Sequence, residues 1–351
     1  MAGPRGYHNY RGRRSKGKTV LTVVLVLIIL VALGFIRLQR YIIYDETGRL
    51  YLELPWQKDE EPEKTPEQPD ELELTIQEPE RAQKETTAWL LAETPVTQEA
   101  LTASVASHSL TSEVSYNAVA VTVKDGSGLL YFNTAVPEGA AFARTAADTA
   151  AALAAVTGED SSLHTVARLS CFHDSKAANA DVEGMGLKNT GGYIFYDGNN
   201  TQWLDPGKEK ARQYLCDLAK DLAEQGFDEI LLTDVSYPTQ GKLDKIDYGE
   251  TMKAQNLRAF LEEMGRALEP CGVTLSIELP ESVILEGSDN VAGLTLSDIV
   301  PLVDRVYADT TAENAGMLRT VVEALPAETE FVPELTAPDP AWEGSSLILD
   351  Q

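Results

Sequence analysis

Cysteine is scarce in this 351-residue chain, which holds only Cys171, Cys216 and Cys271, with no close pair. An odd number excludes a full disulfide framework, and a metal site would require clustered ligands. We therefore predict no metal site and expect the three side chains to be buried as small apolar groups. At most one disulfide can form, and the sequence does not indicate which pair.

A glycine-rich phosphate-binding fingerprint after a strand is also missing, so nothing supports a nucleotide site and we predict no cofactor. Acidic residues are missing from the first forty positions, which carry eight Lys and Arg, although the whole chain has a net charge of −26. The rest of the chain is therefore strongly acidic. Such a segment is a poor candidate for binding nucleic acid or anionic lipid.

Charge of either sign is absent from residues 19–36, and basic residues flank this run. Its length is near the roughly 20 apolar residues that span a bilayer, exceeds a signal-peptide core of about 7 to 15, and no small-residue cleavage site follows. We predict a basic cytoplasmic tail over 1–18 and an uncleaved transmembrane signal anchor over 19–36. The chain is then a single-pass cell-membrane protein with a cytoplasmic N terminus and an extracytoplasmic C-terminal domain. A buried helix of a soluble protein would not explain the basic flanks.

Two short segments follow the predicted anchor. Residues 37–56 alternate in polarity around a turn signal at Glu46 to Gly48, which favours a juxtamembrane hairpin. Residues 57–83 are dominated by Glu, Pro, Asp and Gln and hold few large apolar side chains, so they cannot bury enough surface to fold. We predict that 57–83 is a disordered acidic, proline-rich stalk.

From residue 84 to 351, short apolar runs alternate with helical or loop segments, which is typical of βαβ units. This length is close to the roughly 250 residues of an eightfold barrel. We predict an α/β fold, a (β/α)8 TIM barrel, with an open doubly wound sheet as the alternative. The eight predicted strands are Thr86–Ala92, Asn117–Val123, Thr165–Phe172, Glu229–Val235, Val273–Leu279, Asp304–Ala308, Thr329–Leu335 and Ser346–Leu349. The predicted helices are Thr97–Ser107, Gly139–Ala155, Gly207–Gln225, Thr251–Leu268 and Ala312–Leu325.

The clearest helix-strand unit lies between Trp203 and Pro238. Asp205 is a predicted N-cap, Pro206 suits the first helical position, and Gly226 suits the left-handed residue that closes a helix. Ile230 to Leu232 then form a short apolar run of the kind that a buried parallel strand shows. Polar residues follow this run, at the end of the strand where barrel enzymes carry their chemistry.

Three sequence blocks together resemble a known family. They are NAVAVTVKDGSG at 117–128, ARLSCFHDSKAA at 167–178 and WLDPGKEKARQYLCDLAKDLAEQGFDEILLTDVSYP at 203–238. Their order and spacing resemble the glycoside-hydrolase-like TIM-barrel family of bacterial extracytoplasmic proteins. The resemblance implies a TIM barrel with a glycan substrate, and it implies that Lys124 and Asp125 belong to the pocket.

The chain departs from the family pattern at the end of one strand. Family members usually read close to FDEIQFDYIRFP where this chain reads FDEILLTDVSYP. The carboxylates expected from the resemblance fall on Thr122 and Thr233, and the expected Arg falls on Ser236. Hydroxyl groups can bind sugar, but they cannot act as the general acid of a glycosidase.

Carboxylates at the carboxyl ends of the predicted strands are the candidates for chemistry. Glycoside hydrolysis needs two of them, about 5 to 9.5 Å apart, and we predict Asp234 and Glu278 as this pair because each follows a buried run. Asp234 lies one position from the family carboxylate, so it faces the other side of the strand unless the chain bends or bulges there. Any such carboxylate can equally be a loop residue or a helix cap. The full set of polar strand-end candidates is Glu93, Asp125, His173, Asp174, Asp234, Glu278, Glu281, Asp309, Glu334 and Asp350.

Five further residues complete the predicted substrate-binding set with Lys124 and Asp125. Tyr196 and Trp203 lie in an aromatic and glycine-rich loop, which would suit sugar stacking or form the loop's own small core. His173 and Asp174 follow a predicted strand, and we favour a polar loop pair over metal ligands because ligands usually cluster. Asp309 follows another predicted strand.

Two functional hypotheses remain. The first is an anchored glycoside hydrolase acting on a cell-envelope or extracellular polysaccharide. The second is a catalytically inactive barrel that binds glycan or scaffolds an envelope complex. The hydroxyls at Thr122 and Thr233 favour the second, and a bulge that brings Asp234 into the barrel mouth would favour the first. The sequence predicts a glycan partner and does not indicate an oligomeric state.

Overall fold

The computed structural model describes residues 42–44, 50–52, 85–91, 97, 99–100, 103, 115–145, 147–158 and 161–349. The chain divides into two compact units, Met1–Thr75 and Ile76–Gln351. In the first unit, Ile42–Tyr44 pairs antiparallel with Leu50–Leu52. The predicted anchor over 19–36 and the predicted stalk over 57–83 lie outside the described residues. Within the described ranges, no helix has the length and apolarity needed to cross a membrane.

Eight parallel strands close into a barrel in the second unit, each hydrogen-bonded to its neighbours in chain order. The last strand pairs with the first, Ser345 opposite Thr86, so the sheet has no free edge. Closure confirms the predicted eight-stranded barrel and excludes the open sheet. The strands are β1 Thr86–Leu90, β2 Ala118–Lys124, β3 His164–Ser170, β4 Glu229–Thr233, β5 Thr274–Glu278, β6 Arg305–Asp309, β7 Glu330–Leu335 and β8 Ser345–Leu349.

Each predicted strand is present, with ends displaced by one or two residues. The helices are α1 Pro137–Ala140, α2 Ala147–Thr157, α3 Ser175–Ala180, α4 Glu209–Glu224, α5 Lys253–Leu268, α6 Glu281–Glu286, α7 Leu296–Ile299 and α8 Ala312–Glu323. The predicted helix Gly139–Ala155 is therefore two helices, α1 and α2. Most of the predicted helix Thr97–Ser107 lies outside the described residues.

The predicted start of α4 is wrong. The N-cap is Lys208, which makes no side-chain cap hydrogen bond, and the helix begins at Glu209. Asp205 instead accepts a 2.9 Å hydrogen bond from the backbone N–H of Gly207, which closes a turn just before the helix. The predicted end of α4 is confirmed, because Gly226 has a φ of 95°.

Apolar side chains fill two regions of the barrel unit. Alanine, valine and leucine side chains of alternate strand positions pack inside the barrel with Tyr307. A larger cluster lies between the strands and the surrounding helices, where Leu218 of α4 and Phe260 of α5 are fully buried. Cys171 and Cys216 are buried as predicted, whereas Cys271 is only partly buried, and all three are free thiols.

We expect Gly226→Ala to destabilise the protein by at least about 1 to 2 kcal/mol, since an L-residue at positive φ is strained. A Cβ at this position would also lie 2.6 Å from the carbonyl oxygen of Thr157. Gly265→Ala in α5 is the matched control, because its Cβ would meet nothing within 4 Å. The control should gain about 0.5 to 1 kcal/mol from helix propensity. Urea unfolding measures both, and equal effects would contradict the strain argument.

A polar network occupies the amino-terminal end of the barrel interior, centred on the fully buried Glu229. Its carboxylate accepts hydrogen bonds from Ser276 (2.5 Å), Tyr307 (2.8 Å) and Arg305 (2.7 Å), and it lies 2.8 Å from Nε2 of His164. Burial alone would raise the pKa of Glu229, but the His164 hydrogen bond and the Arg305 charge outweigh it and hold the pKa at about 2. The carboxylate of Glu229 therefore holds several strands of the barrel together.

Candidate functional site

The backbone bends at Asp234, immediately after β4 ends. Asp234 has a φ of 53°, in the left-handed region that Asp tolerates better than most residues. Its Oδ2 accepts a 2.6 Å hydrogen bond from Oγ of Ser170, at the carboxyl end of the neighbouring strand β3. The bend therefore frees Asp234 from the strand's strict alternation. The Asp234 carboxylate therefore faces the barrel mouth, one position after β4 ends at Thr233.

A cavity of about 510 Å³ opens at the carboxyl ends of the strands, and we call it the mouth cavity. Asp234, Glu278 and Asp309, which follow or end three different strands, all contribute to its lining. The aromatic ring of Trp203 lies on the same lining. The structure thus brings together both residues of the predicted catalytic pair and two of the predicted substrate-binding residues. The remaining lining residues are Val235, Ser236, Thr239, Leu279, Pro280, Asp289, Ala292 and Leu294.

An ion pair links β3 to β5, the two strands on either side of β4. The guanidinium of Arg168 binds the carboxylate of Glu278, and about a quarter of each side chain is exposed. Burial acts to lower the pKa of Arg168, but the charges of Glu278, Glu334 and Asp234 raise it. Arg168 is therefore a fixed cation surrounded by carboxyl groups. Sequence reasoning missed it, although a lone Arg inside the apolar strand β3 was the available signal.

Glu334 lies deeper in the same end of the barrel, at 1% exposure. Its Oε1 has no hydrogen-bond partner among the described residues. Burial and the neighbouring charge of Glu278 raise the pKa of Glu334 to about 8, against the opposing effect of Arg168. The sequence analysis placed Glu334 among the strand-end residues but assigned it no role. The other strand-end candidates Glu93 and Asp350 lie outside the described residues.

Lys124 and Asp174 form a fully buried ion pair, with 3.0 Å between Nζ and Oδ2. Nζ of Lys124 also donates a 2.6 Å hydrogen bond to the carbonyl of Ser170, and Oδ1 of Asp174 accepts one from the backbone of Ala177 to cap α3. Neither side chain reaches the surface. The prediction that these two residues bind substrate directly is corrected here, because their polar atoms tie β2 to the loop that follows β3.

Asp125 closes a turn after β2. Its Oδ1 accepts hydrogen bonds from the backbones of Ser127 (2.9 Å) and Leu129 (3.0 Å), and its Oδ2 accepts one from the Tyr131 hydroxyl (2.8 Å). Burial acts to raise the pKa of Asp125, but these hydrogen bonds outweigh it and lower the pKa. With its lone pairs used in the turn, Asp125 holds the loop beside His173 and does not line the mouth cavity.

His173 packs against Trp203 and holds it in position. The two rings stack with centroids 4.7 Å apart and an interplanar angle of 16°. Nε2 of His173 lies 2.9 Å from Oγ1 of Thr201, and Nε1 of Trp203 donates a 3.0 Å hydrogen bond to Asp197. These contacts fix the orientation of Trp203 at the mouth cavity. His173 therefore acts on the cavity through Trp203 and is not part of its lining.

Tyr196 lies apart from the mouth cavity. It lines a second cavity of about 610 Å³, the loop cavity, between residues 189–198 and residues 241–245. Backbone hydrogen bonds join the two segments, for example from Thr190 N–H to the carbonyl of Lys245 at 2.8 Å. A close approach of Gly198 to Gly241 joins them at another point. The loop cavity is therefore preformed, and Tyr196 lines it whereas Trp203 lines the mouth cavity.

A family model described as "Putative glycosyl hydrolase domain" matches residues 93–308. The chain belongs to this family. The match includes the glycosyl hydrolase domain's Arg168, Asp234 and Glu278, whereas Glu334 on β7 lies beyond it.

Solved structures resemble the glycosyl hydrolase domain at low identity. A hypothetical protein from Ruminiclostridium thermocellum ATCC 27405 is 26% identical, over 52% of this chain and 91% of that chain, with a TM-score of 0.43. The PgaB (BpsB) glycoside hydrolase domain from Bordetella bronchiseptica is 14% identical, over 72% and 84%, with a TM-score of 0.48. The PelA glycoside hydrolase domain from Pseudomonas aeruginosa is 14% identical, over 71% and 82%, with a TM-score of 0.37. No curated protein matches the chain significantly.

Proposed function

We propose that this chain is a membrane-anchored extracytoplasmic glycoside hydrolase that cleaves a cell-envelope or extracellular polysaccharide in the mouth cavity. The left-handed bend at Asp234 carries the proposal, because it directs this carboxylate to the cavity that Glu278 and Asp309 also line. Two carboxylates beside one sugar-sized cavity are the minimum that glycoside hydrolysis requires.

The surroundings of the two carboxylates suggest different roles. Glu278 forms an ion pair with the guanidinium of Arg168, and a carboxylate beside a cation suits a nucleophile or a base better than a proton donor. Asp234 accepts a hydrogen bond from the Ser170 hydroxyl, and it forms no ion pair among the described residues. In the proposed reaction, Asp234 donates a proton to the glycosidic oxygen as the bond to the anomeric carbon breaks. In one alternative Glu278 attacks that carbon, and a water that gives its proton to Asp234 then hydrolyses the glycosyl-enzyme. In the other, Glu278 removes a proton from the water that attacks the carbon directly.

Two aromatic surfaces support the choice of a polysaccharide over a single sugar. Trp203 is 9% exposed where it lines the mouth cavity, and the His173 stack holds its ring in place. Tyr196 is 48% exposed at the loop cavity, where Asn189 and Lys242 add polar groups. Aromatic faces with a few polar groups are suited to sugar rings. Trp203 of the mouth cavity donates a hydrogen bond to Asp197 of the loop cavity, so the two cavities are neighbours and a polysaccharide can contact both.

The test of hydrolysis uses the full chain and a panel of bacterial polysaccharides, with new reducing ends as the readout. We expect the wild-type protein to release them, and Glu278→Gln to lower the rate by at least about 100-fold. Glu286→Gln, an exposed position on α6, is the matched control and should keep the wild-type rate. Activity that survives in Glu278→Gln would remove this residue from the mechanism.

A catalytically inactive glycan-binding barrel is the second candidate. Thr122 and Thr233 carry hydroxyl groups where the family resemblance leads us to expect carboxylates. In addition, the carboxylate of Glu278 is already bound by Arg168. This candidate predicts that the wild-type chain retains a polysaccharide on a binding column but releases no reducing ends from it. Release of reducing ends by the wild type, lost in Glu278→Gln, would exclude it.

The anchor proposed for residues 19–36 has a separate test. Removing residues 1–40 should move the protein from the membrane fraction to the soluble fraction, because the only charge-free run of about 18 residues is then gone. The matched control removes residues 1–18 alone and should leave the protein with the membranes. A truncated chain that still sediments with membranes would contradict a single-anchor attachment.

A further inference from the structure

Four carboxyl groups and one cation lie at the carboxyl end of the barrel, where Glu334 is buried and Asp234 and Asp309 are exposed. The cation is Arg168, and its pKa is raised by the charges of Glu278, Glu334 and Asp234 together. Asp309 stands beside Glu334 in the register of β6 with β7. If all of these carboxyl groups were ionised, the one guanidinium would face the charges of Glu278, Glu334 and Asp234, and the buried Glu334 would also lie beside the charge of Asp309. Burying unpaired charge is so unfavourable that one group is expected to stay neutral.

Of the four carboxyl groups, Glu334 is the one that we expect to stay protonated and neutral. It is the most buried of the four, at 1% exposure, and its Oε1 has no hydrogen-bond partner in the described part of the chain. On one side, β6 presents Asp309, and on the other side β8 pairs Leu347 with Glu334 and contributes no titratable group. Across the barrel the facing charged groups are Arg168 and Glu278.

We propose that Glu334 is a positioning residue that leaves Arg168 bound to Glu278 only while Glu334 is neutral. The proposal rests on the hydrolase function proposed above for Glu278. When Glu334 releases its proton to solvent, it becomes a second anion beside the same guanidinium. Nε of Arg168 has no partner among the described residues, so the guanidinium can turn toward this new anion. Glu278 then loses the cation that holds it in place for the reaction.

The direction of the effect follows from the pKa of Glu334, which burial and the Glu278 charge raise to about 8 from an ordinary value of 4.5. The folded protein then binds a proton that the unfolded chain has released between these two values. Stability is therefore highest below about pH 4.5 with respect to this group, falls as the pH rises, and levels off above about pH 8. A variant without the ionisable group lacks this fall.

The first measurement needs no catalysis. Urea unfolding midpoints of the full chain are compared at pH 5.5 and pH 8.5 for the wild type, Glu334→Gln and the exposed control Glu323→Gln. We expect the midpoint of the wild type and of the control to fall over this range, and that of Glu334→Gln to fall by less than half as much. A Glu334→Gln variant with the wild-type fall overturns the proposal, whatever the activity.

The second measurement is the pH profile of polysaccharide hydrolysis from pH 6 to 9.5. The proton donor of the proposed reaction adds an alkaline loss of its own to both proteins, so the difference between the two pH profiles is the readout. We expect kcat of the wild type to fall more steeply above pH 8 than kcat of Glu334→Gln, by about tenfold more for each pH unit, because the variant lacks one ionisation. Parallel alkaline losses in the two proteins overturn the positioning role. A wild type that is inactive at every pH overturns the proposed hydrolase, and the unfolding midpoints then decide the ionisation of Glu334 alone.

Discussion

Replacing Asp234 with Asn is expected to lower the rate of polysaccharide hydrolysis by roughly 100- to 10,000-fold, the contribution typical of a positioned proton donor. The amide has the shape of the carboxylate and can still accept the hydrogen bond that Ser170 donates at 2.6 Å. Asn also tolerates the left-handed backbone at this position, where φ is 53°. The substitution therefore removes the proton and leaves the bend, so the loss reports chemistry and not misfolding.

The measurement is the rate of reducing-end release, with the thermal unfolding midpoint recorded on the same samples. Asp217→Asn, at an exposed position on α4, is the matched control and should change neither quantity. We expect Asp234→Asn to unfold within about two degrees of the wild type. If it retained activity within about threefold, Asp234 would not be the proton donor. If it lost activity and stability together, the bend itself would depend on the carboxylate.

Replacing Glu229 with Gln is expected to destabilise the barrel by about 3 to 5 kcal/mol, because it leaves Arg305 as a buried charge without its closest anion. The two side chains are 2.7 Å apart, and both are essentially inaccessible to solvent. The variant keeps the size of the side chain, so the loss is electrostatic and not a cavity effect. Glu330→Gln is the matched control. It removes the other carboxylate on Arg305, which is 24% exposed, and should cost much less.

The pH dependence of unfolding provides a second measure of the same carboxylate. The folded pKa of Glu229 is about 2 and its ordinary value is 4.5, so its contribution is present above about pH 4.5 and is lost as the pH falls toward 2. The full contribution is about 3 kcal/mol. Urea unfolding from pH 6 to pH 2.5 should show a shallower acid loss in Glu229→Gln than in the wild type. Parallel curves would mean that Glu229 does not titrate on unfolding.

The active-site prediction from sequence was limited by side-chain direction. Placing Asp234, Glu278 and Asp309 together required only that parallel strands end at one edge of a barrel. Alternation along β4 could not place the Asp234 carboxylate, because the left-handed backbone at this residue interrupts the alternation. The same limit applies to Lys124 and Asp174. Lys124 ends β2 and Asp174 follows β3, at positions that suggest a binding surface, yet they bind each other in the interior.

The order and type of the barrel's elements were determined by the sequence itself. Eight short apolar runs, the helical spacing within α4 and α5, and the glycine that ends α4 are local patterns, and each was predicted within a few residues. The network that decides the chemistry was determined only by the tertiary structure. Arg168 and Glu278 are 110 positions apart, and the burial of Glu334 depends on which groups face it across the closed barrel. Periodicity along the sequence indicates which face of a helix or strand a residue occupies. The partner of a charged side chain depends instead on which strands the closed barrel brings near it.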